Sequence, residues 1–409
     1  MVAAVAQAHR RDWAQVLATT VQLTRDLDLA EECAQDAYEQ ALRTWPEAGI
    51  PERPGAWLIT TARNRARDVL RRQSTFHRAI PLLVTEEALP GPEDTLLHDD
   101  RLRLIFTCCH PALSREAQIA LTLRLVCGLS TAEVARVFLV QESTMAARIT
   151  RAKKKISAAR IPYRVPSPDQ LAERVSVVLK VVHLIFTTGH TAPAGPQLAR
   201  RDLIDSAISL ARTLNLLMPS NAEISALLAL LLLIDARAPS RLSPAGDLLL
   251  LSEQDRTRWD RQLIEEGTSL LTGALHRQAP TRYAVEAAIA AVHTEAPAWE
   301  ETDWSQIIAL YDVLRQLWPT PVVGLNRAVA IGLRDGPAAG LEALAPLLAD
   351  PALATYGYLS AARADFLRQC RQWQDAADAY EEALALTSND VERAFLTRRL
   401  IEARANLPG

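Results

Sequence analysis

The chain has 409 residues, 49% of them hydrophobic and only 5% aromatic, with 45 Lys and Arg against 48 Asp and Glu for a net charge of −3. That length predicts two or three domains with sizeable cores. The near balance of charge excludes a globally basic nucleic-acid binder and leaves room for local basic faces.

Ala, Leu and Arg are abundant and hairpin signals are scarce, so an all-α protein is expected. Residues 1–73 read as three helices: Ala4–Arg25, then Leu29–Trp45 ending before Pro46 and Gly49, then Pro54–Arg72 with Pro54 in the first turn. A proline there costs little because its missing N–H has no partner in a first turn anyway. The third helix is basic: from Arg53 to Arg78 there are seven Arg and one acid, Asp68. A solvated amphipathic helix, with Asp68 pairing to Arg71 or Arg72 for about half a kcal/mol, is the plain reading of such a run. Residues 74–97 lose helical period. Pro81, Pro90, Gly91 and Pro92 mark a linker, acidic through Glu86, Glu87, Glu93 and Asp94 with Asp99 and Asp100 just beyond.

Residues 98–160 follow a different plan. Gly128-Leu129-Ser130 breaks a helix, and Ser130 and Glu133 stand at capping-box spacing, each side chain placed to satisfy the other's backbone N–H. Val134, Ala135, Val137 and Phe138 give the short helix an apolar face. The next helix opens at Gln141, and from Ser143 to Arg160 it carries six Lys or Arg and no acid. Helix, turn, short helix, turn, basic helix is the layout of a helix-turn-helix whose second helix enters the DNA major groove.

Residues 161–168 hold three prolines, which stiffen the connection to the remainder. From 169 to 409 the chain is predicted helical, with loops at 192–196 and 238–246. The apolar run Ile224–Ile234 is too short to span a bilayer and predicts a fully buried helix, with no membrane association. A weak repeat follows. Trp304, Pro337 and Trp373 are spaced by about a helix pair, and Tyr311, Leu344 and Tyr380, then Leu314, Leu347 and Ala383, keep the same intervals. Ala364, Ala376 and Ala383 sit where a helix pair needs small residues. A period near 34 residues is that of tetratricopeptide helix pairs.

Cys33, Cys108, Cys109, Cys127 and Cys370 are odd in number and fit no disulfide framework, so a reducing, cytoplasmic setting is expected; no secretory leader is apparent. Adjacent Cys108-Cys109-His110 cannot all ligate one tetrahedral zinc without strain, so no metal and no cofactor are expected. His183 and His190 read as core histidines. The stretch Glu253, Asp255, Arg256, Trp259, Asp260, Glu265, Glu266 reads as an ion-pair-laced helix end, not a hydrolytic carboxylate pair. No Gly-rich phosphate loop or nucleophile elbow is present, and no enzyme is expected.

The residues Pro54-Gly55-Ala56-Trp57-Leu58-Ile59-Thr60-Thr61-Ala62-Arg63-Asn64-Arg65-Ala66-Arg67-Asp68-Val69-Leu70-Arg71-Arg72 resemble the DNA-melting helix of bacterial extracytoplasmic-function sigma factors. Asp28 to Ala37 resembles the helix that in that family docks on the polymerase clamp, and Leu129 to Lys155 resembles its promoter-reading helix-turn-helix. Leu102 to Pro111 and the long tail resemble the group with a C-terminal tetratricopeptide-type extension. The resemblance implies a sigma-2 domain at 1–73, an acidic linker at 74–97, a sigma-4 domain at 98–160, a short Pro-rich linker at 161–168 and a regulatory helical domain at 169–409. It assigns Asp28, Glu31, Glu32, Gln35 and Asp36 to core RNA polymerase. Trp57, Arg63, Asn64, Arg67, Arg71 and Arg72 go to the −10 element of promoter DNA. Glu142, Ser143, Thr144, Arg148 and Arg151 go to the −35 element, and Lys153, Lys154 and Lys155 to phosphates.

The function implied is a sigma factor with a fused regulatory domain, whose tail contacts polymerase or a regulatory protein. Two alternatives stay open: a helix-turn-helix regulator with a ligand- or peptide-sensing repeat domain, and an enzyme housed in residues 170–300. The first leaves Trp57–Arg72 unexplained, and the second lacks any catalytic spacing.

Overall fold

The computed structural model describes residues 2–76, 100–138 and 140–407, and these are all-α apart from one pair of two-residue strands. The acidic stretch with Glu86, Glu87, Glu93, Asp94 and Asp99 lies outside them. The chain forms two compact units, residues 1–184 and 185–409.

In the first unit α1 (Val2–Thr24), α2 (Leu27–Ala48) and α3 (Pro54–Phe76) pack on one another. Asp26 caps α2, its carboxylate accepting from the N–H groups of Asp28 and Leu29. Alanines set the helix spacing: Ala30, Ala34, Ala37, Ala62 and Ala66 are fully buried, with Leu17 and Leu58 filling the space between. α2 runs through Pro46 instead of stopping before it. The buried Trp45 ring anchors the last turn, and Gly49 at φ 83° closes it by donating to the Trp45 carbonyl. The bond lost is the one a Pro46 N–H would make to the Leu42 carbonyl, and because α2 ends at Ala48 any bend there displaces little helix.

The helix-turn-helix segment comprises α4 (Asp100–Cys108), α5 (Arg115–Leu121), α6 (Thr131–Val137) and α7 (Glu142–Ala158), followed by α8 (Pro168–His190). A π-helical turn, Thr122–Val126, extends α5, with Cys127 N–H reaching the Thr122 carbonyl at 2.9 Å. No local sequence signal anticipates it. The Ser130–Glu133 capping box forms on both sides. Cys108 and Cys109 are sealed in the core; the Cys109 sulfur meets the Thr122 hydroxyl at 3.4 Å, and burial pushes its thiol up to about 11. His110 accepts from the Ala112 N–H. Among the described residues no group of His, Cys, Asp or Glu is arranged to hold a metal ion, and no described helix is long and apolar enough to cross a membrane.

In the second unit α9 (Arg201–Leu217), α10 (Ala222–Asp235), α11 (Arg261–Arg277) and α12 (Arg282–Glu295) surround a common core. α10 is the greasy run and is apolar on every side because α9, α11 and α12 all pack against it: Ile224, Leu227, Leu231, Leu232 and Leu233 have no exposure. Six helices follow: α13 (Trp304–Leu317), α14 (Pro321–Asp335), α15 (Pro337–Leu344), α16 (Gly357–Gln369), α17 (Trp373–Leu386) and α18 (Asp390–Ala405). Trp304, Pro337 and Trp373, the residues that mark the sequence interval, each open a helix. Ala364, Ala376 and Ala383 are fully buried in one cluster with Tyr380. Phe366 wedges against α14 and α15, where a Cβ on Gly332 or Gly340 would fall within 2.5 Å of its ring. Strand β1 (Ala194–Gly195) pairs in parallel with β2 (Ser388–Asn389), tying the two ends of the unit together.

The charged stretch 253–266 departs from its expected internal ion pairing. Asp255 and Asp260 are helix caps, Glu266 pairs with Arg212 at 2.6 Å, and Glu253 faces Arg399 at 3.7 Å. Arg256 turns inward over the Trp259 ring and donates to the carbonyls of His293 and Ala296 and to the Thr302 hydroxyl. Alternating charges in a stretch broken by 3-10 turns point in unlike directions, so neighbours in sequence find partners elsewhere.

Candidate nucleic-acid interface

α3 projects most of its basic residues to solvent. Asn64, Arg67, Arg71 and Arg72 are exposed, and Arg63 is half-buried. Arg67 donates a long hydrogen bond, 3.4 Å, to the Asn64 side chain one turn earlier. Trp57 is half-buried and meets the sealed Trp45 ring edge-on at 5.7 Å, so one edge of the indole is anchored while part of it remains open. The helix is held by its opposite face, Leu58, Ala62 and Ala66. Arg65 is the exception among the arginines: it turns back to Asp36 on α2 at 2.7 Å, which raises its own pKa.

α7 behaves differently along its length. Met145, Ile149, Ala152 and Ile156 form its buried stripe, and Glu142, Ser143 and Thr144 stand exposed at its start. Arg148 is half-buried with its guanidinium 5.3 Å above the Phe138 ring, a cation–π contact across the turn between α6 and α7. Arg151, Lys154 and Lys155 are exposed. Lys153 is not: its side chain is only 10% exposed, and its ammonium reaches Asp28 and Glu31 of α2, both at 2.7 Å. Burial pulls the lysine pKa down, but the two carboxylates outweigh it and hold the group above the ordinary lysine value. Glu31 also meets Arg124 of the π-helical turn.

The five residues expected to face polymerase are therefore not equivalent. Glu32 and Gln35 are exposed, Asp36 is held by Arg65, Asp28 is exposed yet bonded to Lys153, and Glu31 is buried between two cations. Further contacts close the same seam. The Trp13 indole N–H donates to the Leu125 carbonyl at 3.1 Å, and Gly128, at φ 74°, sits where a Cβ would lie 3.0 Å from Trp13 and His9. The Tyr163 hydroxyl donates to the carbonyls of Ala18, at 2.9 Å, and Asp100.

Three participants escaped the sequence reading: Arg124, Trp13 and Tyr163. Arg124 did leave a signal, being a lone cation inside the apolar run Leu121–Val126, which a buried partner explains. Trp13 and Tyr163 left none, because their partners are backbone carbonyls.

Residues 7–76 match Sigma-70 region 2 and residues 103–156 match Sigma-70 region 4. Residues 174–275 match a family of unknown function, DUF6596. An uncharacterized protein of Rhizobium meliloti (strain 1021) is 41% identical over 397 residues, which is 94% of this chain and 92% of that protein.

Proposed function

We propose that this chain, which belongs to the sigma-70 family of RNA polymerase sigma factors, is an extracytoplasmic-function member with a fused regulatory tail. It brings core RNA polymerase to promoters, opening the −10 element with α3 and reading the −35 element with α7. The observation that carries this reading is the outward face of α3. Asn64, Arg67 and Arg72 are exposed beside a Trp57 ring that is anchored at one edge and open at another.

Melting requires bases to leave the stack, at a cost of roughly a few kcal/mol per step. An open aromatic edge offers a displaced base a stacking surface, an amide side chain reads a base edge, and guanidinium groups hold the phosphates. Binding energy alone offsets the unstacking, so no hydrolysis is involved. At α7, Ser143 and Thr144 lie at the helix start, where backbone N–H groups favour phosphate. Arg148 and Arg151 follow on positions that reach base edges or backbone. Lys154 and Lys155 serve phosphates. Glu32 and Gln35 are the docking residues presented directly to a basic clamp surface.

Glu31 and Lys153 satisfy each other, although one is assigned to polymerase and the other to DNA. Delivering either to its target breaks a buried ion pair. The reading therefore includes an opening step, in which polymerase takes the α2 acids and releases α7. The tail, residues 169–409, is acidic overall, and from Trp304 onward its helices recur at intervals near the tetratricopeptide period, which suits contact with polymerase or a regulatory protein.

Run-off transcription with core polymerase, and this chain as the sole added factor, tests the proposal. Promoter-dependent transcripts are expected, together with co-purification of the chain and core polymerase. Binding to promoter duplex without polymerase, and without any transcript, would favour the simpler helix-turn-helix regulator.

A further inference from the structure

The second unit contains a cavity of about 710 Å³ between the loop at 191–193, helices α14 and α16, and the start of α18. That size suits a ligand of drug-like dimensions. Leu325, Val329 and Leu396 form apolar wall. Tyr356 and Tyr358 meet there with ring centroids 5.2 Å apart, and Tyr358 stays 47% exposed although it is a large aromatic beside a cavity. The rim is built in advance. Asn389, 1% exposed, caps α18 with its carbonyl oxygen and donates from its amide nitrogen to the carbonyls of Ala192, at 3.0 Å, and Gln197, at 2.8 Å.

Two carboxylates line this cavity, and they differ. Asp365 is already satisfied, by Arg368 at 2.8 Å and the Gln369 amide at 2.7 Å. Glu392 has no ion-pair partner among the described residues. It accepts one hydrogen bond, from the Tyr358 hydroxyl at 2.7 Å. Desolvation dominates its environment and raises its pKa, with the Tyr358 hydrogen bond and the charge of Arg241 opposing. Arg241 does not close the gap, because its guanidinium donates to the His190 carbonyl and the Thr191 hydroxyl. Tyr380, 1% exposed, also lines the cavity, with its hydroxyl beside the Arg368 guanidinium.

A partly desolvated carboxylate without a direct ion pair is costly unless something supplies one. Aromatic faces beside it attract cations too, through the ring quadrupole. We propose that this cavity binds a small organic cation, a primary amine or guanidinium carried on an apolar body, with the charged head on Glu392 beside Tyr356 and Tyr358 and the body against Leu325, Val329 and Leu396. Charge complementarity selects the head, and the apolar wall selects the body. Tyr358 is a positioning residue as well as a wall, since its hydroxyl fixes the carboxylate. This site is independent of the transcription reading, because it is assayed by direct binding without polymerase or DNA.

The test uses the full chain and three probes of one shape: 4-phenylbutylamine, 4-phenylbutan-1-ol and 4-phenylbutyrate. Binding is followed through the methyl resonances of Leu325, Val329 and Leu396 and by calorimetry. The amine is expected to bind at least about ten-fold more tightly than the alcohol, and the carboxylate most weakly, since a tenfold preference needs about 1.4 kcal/mol of the charge pairing. Glu392→Gln, nearly isosteric, should bring amine and alcohol level. Tyr358→Phe, which keeps the ring, should weaken the amine about two- to three-fold, within what one hydrogen bond contributes. Far-ultraviolet circular dichroism and Tm confirm that each variant is folded; if Glu392→Gln is not, the probe ranking in the wild-type chain and in Tyr358→Phe decides alone. Equal binding of all three probes, no binding of the amine at 10 mM, or amine selectivity that survives in folded Glu392→Gln would each overturn the proposal.

Discussion

The two basic helices look alike in sequence and differ in the folded chain. α3 spends one arginine, Arg65, on its neighbour α2 and turns Arg67 and Arg72 to solvent. α7 gives one lysine, Lys153, to the buried Glu31 and the exposed Asp28 of the same α2 and stacks Arg148 on Phe138. A run of like charge is thus not one functional unit. Some of its members hold the fold, and the remainder face outward.

Breaking the Glu31 site tests this contrast most severely. Glu31→Gln leaves Arg124 and Lys153 facing each other without their shared acid, and removing one partner of a buried pair costs about 3–5 kcal/mol. Chemical denaturation should show a loss of that order, whereas Glu32→Gln on the exposed side of α2 should change stability by less than about 0.5 kcal/mol. Equal, small effects would mean that α7 is not latched. The next largest effect is expected at Arg148→Ala, with a loss of about 1–3 kcal/mol in promoter affinity if the guanidinium reaches a base edge. Co-purification with core polymerase should be unchanged; its loss would move Arg148 out of the DNA-reading set.

Ser130→Ala removes half of the capping box ahead of α6 and should cost about 1 kcal/mol of stability. It distinguishes the scaffold of the helix-turn-helix from its reading surface, because DNA specificity should stay the same. The double variant Arg67→Ala with Arg72→Ala sharpens the contrast from the α3 side. Stability should move by no more than about 0.5 kcal/mol, while the salt dependence of promoter binding becomes shallower by about one phosphate contact per arginine. The smallest expected effect is that of pH on the latch. Lys153 has a raised folded pKa, so its contribution is complete below the unfolded lysine value of 10.5 and is lost only as pH rises through the higher folded value. Hydrodynamic radius and Tm of wild type and Lys153→Met should therefore run parallel from about pH 6 to 9. A gap that closes within that interval would show that the lysine is not the charged partner.

Asp36 illustrates how structure changes the choice of probe. On sequence it is one of five equivalent docking residues, four of them acids, and Asp36→Arg reads as a clean test of docking. In the fold that substitution also confronts Arg65 with a like charge, so a defect would mix docking with the α2–α3 contact. Glu32→Arg, on the exposed face, isolates the docking effect.

Local signals carried far in this chain. Helix starts at Ser130 and Pro54, the buried run of α10, and the interval that opens α13, α15 and α17 all depend on residues within one or two turns, or on a repeat visible by spacing alone. The acidic and basic character of α2, α3 and α7 is equally a property of composition. What the fold alone decided is which charges meet. Lys153 and Glu31 are 122 residues apart, Arg256 and Thr302 are 46, and Asn389 and Ala192 are 197. A side chain's partner depends on which surfaces the packing of whole helices brings within a few ångströms, and that packing is set by many buried contacts at once. Periodicity can say that a lysine lies on a helix; only the assembled core determines whether it faces water, a phosphate or an acid.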